Sequence, residues 1–422
     1  MRVFADLQVH SPYSRATSKN MNLKEVARFA SMKGLNVVGT GDFTHPDWRK
    51  EIRRDLQDAT DSGLYQLRDG AFQVRYMISG EVNTTFSFGY KSRRIHHCLL
   101  APSIESADAV SDRLAKYGNL SSDGRPTLRA TAPELVDEVS EADGQCVIFP
   151  AHAWTPWFSL FGAVSGFDGF ISCYQEKSDR IFALETGMSS DPPMNWRLSQ
   201  LDPLCLVSNS DAHSAWPWRL GREANVFDLD HVTYQNIVGA IREKDPKRFS
   251  FTIETSPAYG KYHWTGHREC QVSMSGKDAR RLDDKCPRCG KKMTRGVEER
   301  IEELADRPEG YVPKNPIRYR HLLPLSEIIA LVLSEANPAS RRVWDVYNLL
   351  VGKFGTEYSV MLNVSEDALL AAAGPEISRA IIRVRNDDVF VEPGYDGLYG
   401  KLDLSKPAPV KKPAASGLQQ FV

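Results

Sequence analysis

Short apolar segments that favour β-strands recur over residues 1–258, and helical segments separate several of them. The apolar segments are MRVFADL, GLNVVGTGDF, QVRYMISGEVN, RRIHHCLLAP, GQCVIFPAH, RIFALETG, PLCLVSNSDAH and RFSFTIETS. Between the first two, NLKEVARFASMKG has apolar residues at helical spacing and ends at Gly34. Alternating strands and helices predict a parallel α/β architecture, and the number of segments favours a barrel over an open sheet.

The pattern changes after this α/β region, and we predict three further units. Residues 259–308 are polar and contain clustered cysteines, whereas residues 309–404 have mainly helical periodicity followed by short β-like pieces. Residues 405–422, SKPAPVKKPAASGLQQFV, have the composition of a flexible linker. The predicted organisation is therefore an α/β domain, a cysteine module, a helical domain and a tail.

Composition limits the classes of protein to which the chain can belong. With 41% hydrophobic and 25% charged residues, it has the balance of a globular protein. No apolar run approaches the length of a bilayer span and no signal-peptide pattern is evident, so we expect a cytoplasmic protein without a membrane partner. The net charge of −1 argues against general coating of nucleic acid but permits a local basic groove.

Most of the predicted strands end next to a side chain that can bind a metal ion. These side chains are His10, Asp42, His45, Glu81, His152, Glu185, Asp211 and His213, while His96 and His97 lie at the start of their strand. A single such residue is often only a cap or a turn residue. In a parallel barrel, however, the carboxyl ends of the strands meet at one mouth. The accumulation therefore predicts a site for zinc, manganese or iron.

The cysteine module contains two short ligand pairs. His267 and Cys270 are separated by two residues, as are Cys286 and Cys289, and this spacing is typical of a structural zinc site. His263 is an alternative fourth ligand, and free thiols beside a surface histidine are the alternative to a zinc site. The module is so polar that we expect the metal to supply its stability.

Basic and aromatic residues suggest a surface for nucleic acid. The basic residues in and around the module are Lys261, Arg268, Arg280, Arg281, Lys285, Arg288, Lys291, Lys292 and Arg295. The aromatic residues near predicted ligands are Trp154, Trp157, Phe158, Phe161, Trp216 and Trp218. The basic residues either contact DNA or form a solvated surface. The aromatic residues either pack as a lid or receive an unstacked nucleotide.

Several segments together resemble the polymerase-and-histidinol-phosphatase (PHP) superfamily. They are DLQVHSPYS, GTGDFTHP, SGEVNTTF, FPAHAWTPWFSLFG, LETGMSSDPP and SNSDAHSAWPWRLGREAN. With AYGKYHWTGHREC, the chain is most similar to the endonuclease Q branch, from residue 3 to about residue 400. The resemblance implies a PHP-type distorted (β/α)7 barrel that holds two or three catalytic divalent ions (Zn²⁺, Mn²⁺ or Mg²⁺).

The resemblance also implies a set of metal ligands. The set is Gln8, His10, Asp42, Glu81, His97, His152, Asp211 and His213. Spacing alone does not separate His96 from His97 as the ligand, and we prefer His97. His45, His96 and Glu185 are expected either to bind a metal ion themselves or to orient the residues that do. Gln8 departs from the superfamily, which usually has histidine there. An amide oxygen is a weaker ligand for zinc than imidazole, so we expect one ion to be held loosely.

By this resemblance, the protein is expected to be a DNA repair endonuclease that acts through a metal-activated water. It would cut on the 5′ side of uracil, hypoxanthine or an abasic site, with Glu81, His152, Asp211 and His213 as catalytic residues. The predicted substrate-binding residues are Trp154, Trp157, Phe158, Trp216, Trp218, Arg268 and Lys291. The alternatives are a small-molecule phosphatase of the same superfamily and a non-catalytic damage-binding protein.

The last residues of the tail, Leu418 to Val422, faintly resemble peptides that bind a replication sliding clamp. We expect either such a tether, which would place the protein at the nucleoid, or a tail without a role.

Overall fold

The computed structural model describes residues 1–408. Most of the predicted tail, including every residue predicted to bind a sliding clamp, falls at 409–422 and lies outside the described residues. Within the described part of the chain, no helix combines the length and the apolar character needed to cross a bilayer.

Strands and helices alternate over the first part of the chain, and helices dominate the last part. The strands are β1 (Arg2–Asp6), β2 (Val37–Gly39), β3 (Leu56–Asp58), β4 (Tyr65–Leu67), β5 (Arg75–Phe88), β6 (Lys91–Ala101), β7 (Thr127–Leu128), β8 (Val147–Pro150), β9 (Ala183–Glu185), β10 (Cys205–Val207), β11 (Ala224–Asp228), β12 (Phe249–Glu254), β13 (Thr265–His267), β14 (Val272–Met274), β15 (Arg318–His321), β16 (Phe390–Glu392) and β17 (Lys401–Asp403). The helices are α1 (Leu23–Lys33), α2 (Pro46–Asp55), α3 (Ile104–Leu114), α4 (Ala132–Ala142), α5 (Phe170–Tyr174), α6 (Pro192–Asn195), α7 (Tyr234–Glu243), α8 (Gly276–Arg281), α9 (Val297–Leu304), α10 (Leu325–Val332), α11 (Arg341–Phe354), α12 (Glu357–Leu362) and α13 (Glu366–Arg385). Short 3₁₀ turns lie at Gln175–Arg180, Ser199–Leu201, Pro257–Tyr259 and Arg268–Cys270.

Local sequence explains how the helices begin and end. Helix α1 follows Asn22, whose side chain accepts a hydrogen bond from the backbone N–H of Glu25, and it ends at Gly34 with a φ of 99°. Helix α4 begins with a capping box in which Thr131 and Glu134 each accept a bond from the other's backbone N–H. The helix predicted between the first two strands is therefore confirmed.

The largest sheet contains eleven of the described strands. Strands β1, β2 and β5 are parallel neighbours, whereas β6 runs antiparallel to both β5 and β8. On the other side of β1, strands β11 and β12 continue the sheet in antiparallel pairing, and β15 adds in parallel. The fold is thus mixed α/β, and its sheet is not the purely parallel one expected from the alternating pattern.

Strands β9 and β10 form a separate parallel pair outside the largest sheet. The backbone N–H of Ala153, just after β8, donates to the carbonyl of Glu185 in β9 over 3.0 Å. The backbone N–H of His10, just after β1, donates over 3.0 Å to the carbonyl of Ala212, which follows β10. These bonds bring the ends of β8, β9, β10 and β1 into one neighbourhood, while closure into a seven-stranded barrel stays a prediction.

The helical region packs on the α/β region through a shared apolar core. A single cluster of buried side chains includes Val26 and Leu35 near α1 together with Leu325, Tyr347 and Val360 from the helical region. Strand β15 also returns to the main sheet beside β12, although it lies within residues predicted to belong to the helical unit. The C-terminal helices are consequently a support for the α/β region and its loops.

Candidate metal centre

The loops that follow β1, β2, β8 and β10 meet strands β5 and β6 at one buried site. They deliver His10, Asp42, His152 and Asp211, while β5 itself carries Glu81. Asp42, His152 and Asp211 have positive φ angles of 48°, 29° and 49°. Such angles are unusual for residues with a side chain and cluster where function requires an exact side-chain position. The strand-end residues therefore converge, as the sequence predicts.

One group at this site consists of His10, Asp211 and His213, whose ligand atoms all lie within 4.8 Å of one another. His10 Nε2 is 2.9 Å from Asp211 Oδ1, and the rings of His10 and His213 are 4.4 Å apart. On its other side, His10 Nδ1 lies 3.0 Å from Asp42 Oδ1. These residues form an arrangement of imidazole and carboxylate groups that could hold a divalent ion.

A second group consists of Glu81, His96 and His152. His96 Nδ1 lies 2.5 Å from Glu81 Oε1 and 3.1 Å from His152 Nε2. The other oxygen of the same carboxylate, Glu81 Oε2, is 3.2 Å from His10 Nε2 in the first group. Glu81 therefore stands between the two groups, with one oxygen directed at each, and it could serve as a ligand shared by both groups if they held divalent ions.

The choice between His96 and His97 depends on the β5–β6 ladder. Asn83 lies opposite His96 in this ladder, so Glu81 and His96 share one face of the sheet and His97 points to the other. His97 Nε2 is 2.9 Å from Thr84 Oγ1, and its Nδ1 is 2.9 Å from the Tyr174 hydroxyl. The structure thus places His96 in the group and not the preferred His97, and this is a correction to the ligand set expected from sequence.

Gly89, a glycine between two strand-like segments, is the sequence signal that could have separated the two histidines, because it marks a tight hairpin turn. Gly89 and Tyr90 form the two-residue turn between β5 and β6, with φ angles of 57° and 60°. Two positive φ angles are typical of a type I′ hairpin turn, and such a turn fixes the register of both strands. The pairing of Phe88 with Lys91 leads directly to the pairing of Asn83 with His96.

Negative charge is concentrated around the His10 ring. Asp42, Glu81 and Asp211 all lie within 3.2 Å of its nitrogens, and the Asp42 and Glu81 side chains are at most 1% exposed. Burial alone would lower the pKa of His10, but these carboxylates raise it well above its ordinary value. Buried carboxylates in such number require compensating cations, so the site fits divalent metal ions.

Gln8 also fits a metal site. Its amide nitrogen donates to Glu81 Oε2 over 2.6 Å, while its amide oxygen is buried and has no hydrogen-bond partner among residues 1–408. A buried polar oxygen without a partner is costly, and a cation would relieve that cost. Gln8 therefore lies at the site as expected, with a free oxygen that could act as a ligand.

Two further predicted residues, Glu185 and His45, are hydrogen-bonded to residues of the metal centre. Glu185 accepts hydrogen bonds from the backbone N–H of His152 and from the Asn209 side chain, both over 2.7 Å, and burial raises its pKa to about 8. His45 precedes α2 and stacks on Tyr13 with ring centroids 4.3 Å apart. Glu185 is thus placed to orient His152, which is one of the two roles expected for it, whereas the role of His45 stays a prediction.

Arg125 lies at the centre although no sequence pattern indicated it. Its Nη1 atom is 3.5 Å from Glu81 Oε1, and its side chain is 23% exposed. Burial would raise the pKa of Glu81, but Arg125 and the neighbouring histidines hold that pKa well below its usual range. Asp123-Gly124-Arg125-Pro126 reads as an ordinary turn, so only its contacts in the folded chain reveal a role.

The cysteine module brings together the four predicted ligands. Ligand atoms of His267, Cys270, Cys286 and Cys289 all lie within 4.8 Å of one another, and Cys289 Sγ is 3.6 Å from His267 Nδ1. His263 lies outside this group. Within the described residues, the apolar cluster of the cysteine module has Ala279, Cys286 and Met293 as its buried members. This core is too small to stabilise the module alone. The donor set and the small core both fit a structural zinc ion.

The predicted substrate-binding aromatics divide into three environments. Trp154 is only 1% exposed, stacks on Phe161 and donates to Asn195, so it is part of the core and not a free stacking surface. Phe158 is half-buried with its ring 5.2 Å from that of His96, and Trp157 is exposed at the rim. Phe158 therefore lies beside the metal centre, whereas the ring of Trp157 lies 5.6 Å from that of Tyr262, close to the cysteine module.

Trp216 and Trp218 stack on each other with ring centroids 4.8 Å apart. Trp216 also lies 5.2 Å from Trp344 of helix α11, so the pair joins the loop after Asp211 to the helical region. The two predicted basic contacts, Arg268 and Lys291, lie on the cysteine module, with Lys291 largely exposed.

Comparisons with known proteins agree with this geometry. The family model described as the MJ0043 C-terminal domain matches residues 324–388. Uncharacterized protein MJ0043 of Methanocaldococcus jannaschii is 33% identical over 267 residues, which are 62% of this chain and 32% of that protein. The match therefore covers only about a third of the length of that relative.

Two solved structures match almost the whole chain. One is the crystal structure of the novel lesion-specific endonuclease PfuEndoQ from Pyrococcus furiosus, with a TM-score of 0.85, 34% identity and 95% of both chains covered. The other is a crystal structure of Endonuclease Q in complex with a 27-mer duplex substrate that has an abasic lesion at the active site, with a TM-score of 0.85, 34% identity and 97% of both chains covered. The fold is thus the one that these endonuclease Q structures share. The chain belongs to the endonuclease Q family, which confirms the resemblance found in the sequence.

Proposed function

We propose that this protein is a DNA repair endonuclease that hydrolyses the phosphodiester bond on the 5′ side of a deaminated base or an abasic site. The observation that carries the proposal is the position of Glu81 between two imidazole-containing groups, in a chain of the endonuclease Q family. Two adjacent divalent cations can activate a water molecule and stabilise charge on a phosphate.

The proposed ligands are those whose donor atoms converge. His10, Asp42, Asp211 and His213 would hold one ion, and His96 and His152 another, with Glu81 shared and the Gln8 amide oxygen as a neutral ligand. Ser11 donates to Asp42 Oδ2 from both its backbone N–H (2.6 Å) and its hydroxyl (2.7 Å), which fixes that carboxylate. Zn²⁺, Mn²⁺ and Mg²⁺ are all compatible with such a mixed donor set.

A structural zinc ion in the cysteine module would hold a basic surface in place. Arg295 pairs with Asp284 and with Glu303 of α9, both over 2.9 Å. Arg300 of α9 in turn donates to the carbonyl of Phe161 over 3.0 Å, so the module is tied through α9 to the rest of the chain. The exposed cations on this module would contact the phosphate backbone of DNA. We also propose that the strands that carry the metal-binding loops close into a PHP-type distorted (β/α)7 barrel.

A cleavage assay tests the proposed function. The protein is incubated with Mn²⁺ or Mg²⁺ and with end-labelled duplexes that contain one uracil, one hypoxanthine, one abasic site or no lesion. We expect a nick on the 5′ side of each lesion and none in the undamaged duplex. Binding without a nick would indicate a damage-binding protein, whereas release of phosphate from small phosphomonoesters alone would indicate a phosphatase.

The tail is proposed as a tether to a sliding clamp through residues 418–422. A chain that ends at residue 408 should nick short duplexes normally and lose any binding to the clamp; unchanged clamp binding would refute this role.

A further inference from the structure

Arg125 is held in place by the residues on both sides of it. Gly124 donates from its backbone N–H to the carbonyl of Tyr13 over 3.0 Å, and a Cβ at Gly124 would come within 2.4 Å of Asp42 Oδ2. On the other side, the carbonyl of Pro126 accepts a hydrogen bond from the backbone N–H of Asn83, two residues after Glu81. The segment is therefore clamped between the β2 loop and strand β5, and Arg125 has little freedom to move away.

The guanidinium of Arg125 is mostly buried, but it forms few interactions with the described residues. Its ion pair with Glu81 spans 3.5 Å, and its five N–H donors make no hydrogen bond to any group within residues 1–408. Buried guanidinium groups normally use several donors, as Arg300 does with the carbonyls of Phe161 and Phe167 and with Asp168. The N–H donors of Arg125 are thus available to bind a ligand at the metal centre.

We infer that Arg125 binds the scissile phosphate and stabilises the charge that develops on it during cleavage. A guanidinium presents paired donors that match two oxygens of one phosphate group. If cations occupy the ligands around Glu81, they engage the carboxylate that now faces Arg125, and a phosphate anion then becomes the natural partner of this arginine. This assignment rests on the proposed function, because it requires a phosphodiester at the same site.

The first test is single-turnover cleavage of an abasic duplex at saturating Mn²⁺. Arg125→Ala should lower the rate about 10²–10³-fold, the loss that follows removal of a preorganised donor to transition-state charge. Arg125→Lys should recover part of that rate, because it restores the charge without the paired donors. Arg129→Ala, which removes an exposed arginine from the same segment, is the control and should cleave as the unmodified protein does.

The second test measures binding without cleavage. In an Asp211→Ala background, affinity is compared for an abasic duplex with a normal scissile phosphate and for one with a neutral methylphosphonate at that position. Removal of Arg125 should weaken binding of the charged duplex and leave binding of the neutral duplex unchanged. Equal losses on both duplexes, or full cleavage by Arg125→Ala, would overturn the assignment.

These outcomes are distinguishable from failure of the proposed function. If the unmodified protein does not nick any damaged duplex, the proposed activity is wrong. If it nicks them and Arg125→Ala nicks them equally well, only the assignment of Arg125 is wrong.

Discussion

Lys33 and Glu357 form a buried ion pair 2.7 Å long, although 324 residues separate them in sequence. The Lys33 ammonium also donates to the carbonyl of Pro217 over 2.8 Å, and the hydroxyl of Tyr358, next to Glu357, donates to the carbonyl of Gly221 over 2.6 Å. Both carbonyls belong to the segment that follows Asp211. The helical region therefore braces the loop that carries part of the metal centre.

Removing one partner of this pair should strongly destabilise the protein. The Lys33 and Glu357 side chains are only 2% and 1% exposed, so Glu357→Leu leaves a buried ammonium without its carboxylate. We expect a loss of about 3–5 kcal/mol in the free energy of unfolding, measured by urea denaturation. The matched control is Asp69→Ala, which breaks the exposed pair of Lys24 and Asp69 and should cost about 0–1 kcal/mol. Similar losses for both variants would show that the buried pair does not brace the fold.

Sequence patterns locate the metal centre better than they describe its surroundings. Asp42 and Asp211 follow apolar strands and Glu81 lies within one, so the strand pattern indicates all three. The bracing of the Asp211 loop by Glu357 has no such pattern, because it depends on how a distant helix packs. The role of Trp154 is equally hidden, since a tryptophan in a loop has the same sequence signal whether it is exposed or, as here, almost fully buried.

The adjacent residues His96 and His97 should respond differently to replacement by alanine. His96→Ala removes a ring within 2.5 Å of Glu81, so metal-dependent cleavage should fall by at least about 100-fold. His97→Ala removes the partner of Thr84 and Tyr174 and should instead cost about 1–3 kcal/mol of stability. Cleavage rates at saturating Mn²⁺ and denaturation midpoints measure both effects. A loss of cleavage in His97→Ala alone would restore the original preference for His97.

Zinc should be bound by the cysteine module independently of the catalytic ions. The double variant Cys286→Ser, Cys289→Ser removes two of the four converging ligands and should lose about one equivalent of zinc. Elemental analysis after dialysis against a weak chelator measures the change. The control is Cys146→Ser, a free thiol distant from the module in sequence, which should retain all zinc. The zinc assignment fails if the double variant keeps its full zinc content.

Phe158 should contribute more to cleavage beside a stacked damaged base than at an abasic site. An aromatic surface repays about 1–3 kcal/mol per base when it receives an unstacked base, and an abasic site has no base to receive. Phe158→Ala should therefore slow cleavage at uracil more than at the abasic site. Trp154→Ala is the comparison, because loss of a buried ring should lower stability and affect both substrates alike. Equal effects of Phe158→Ala on both substrates would favour a simple lid.

The central claim is that the converging strand-end residues perform the cleavage, and Asp211→Ala tests it most directly. Asp211 Oδ1 lies 2.9 Å from His10 Nε2, and its side chain is 32% exposed, so it reaches both the buried ligands and the substrate side. The measurement is nicking of a uracil-containing duplex by the variant, alongside its affinity for the same duplex. We predict that nicking is abolished while affinity stays close to that of the unmodified protein. Undiminished nicking by Asp211→Ala would contradict the account.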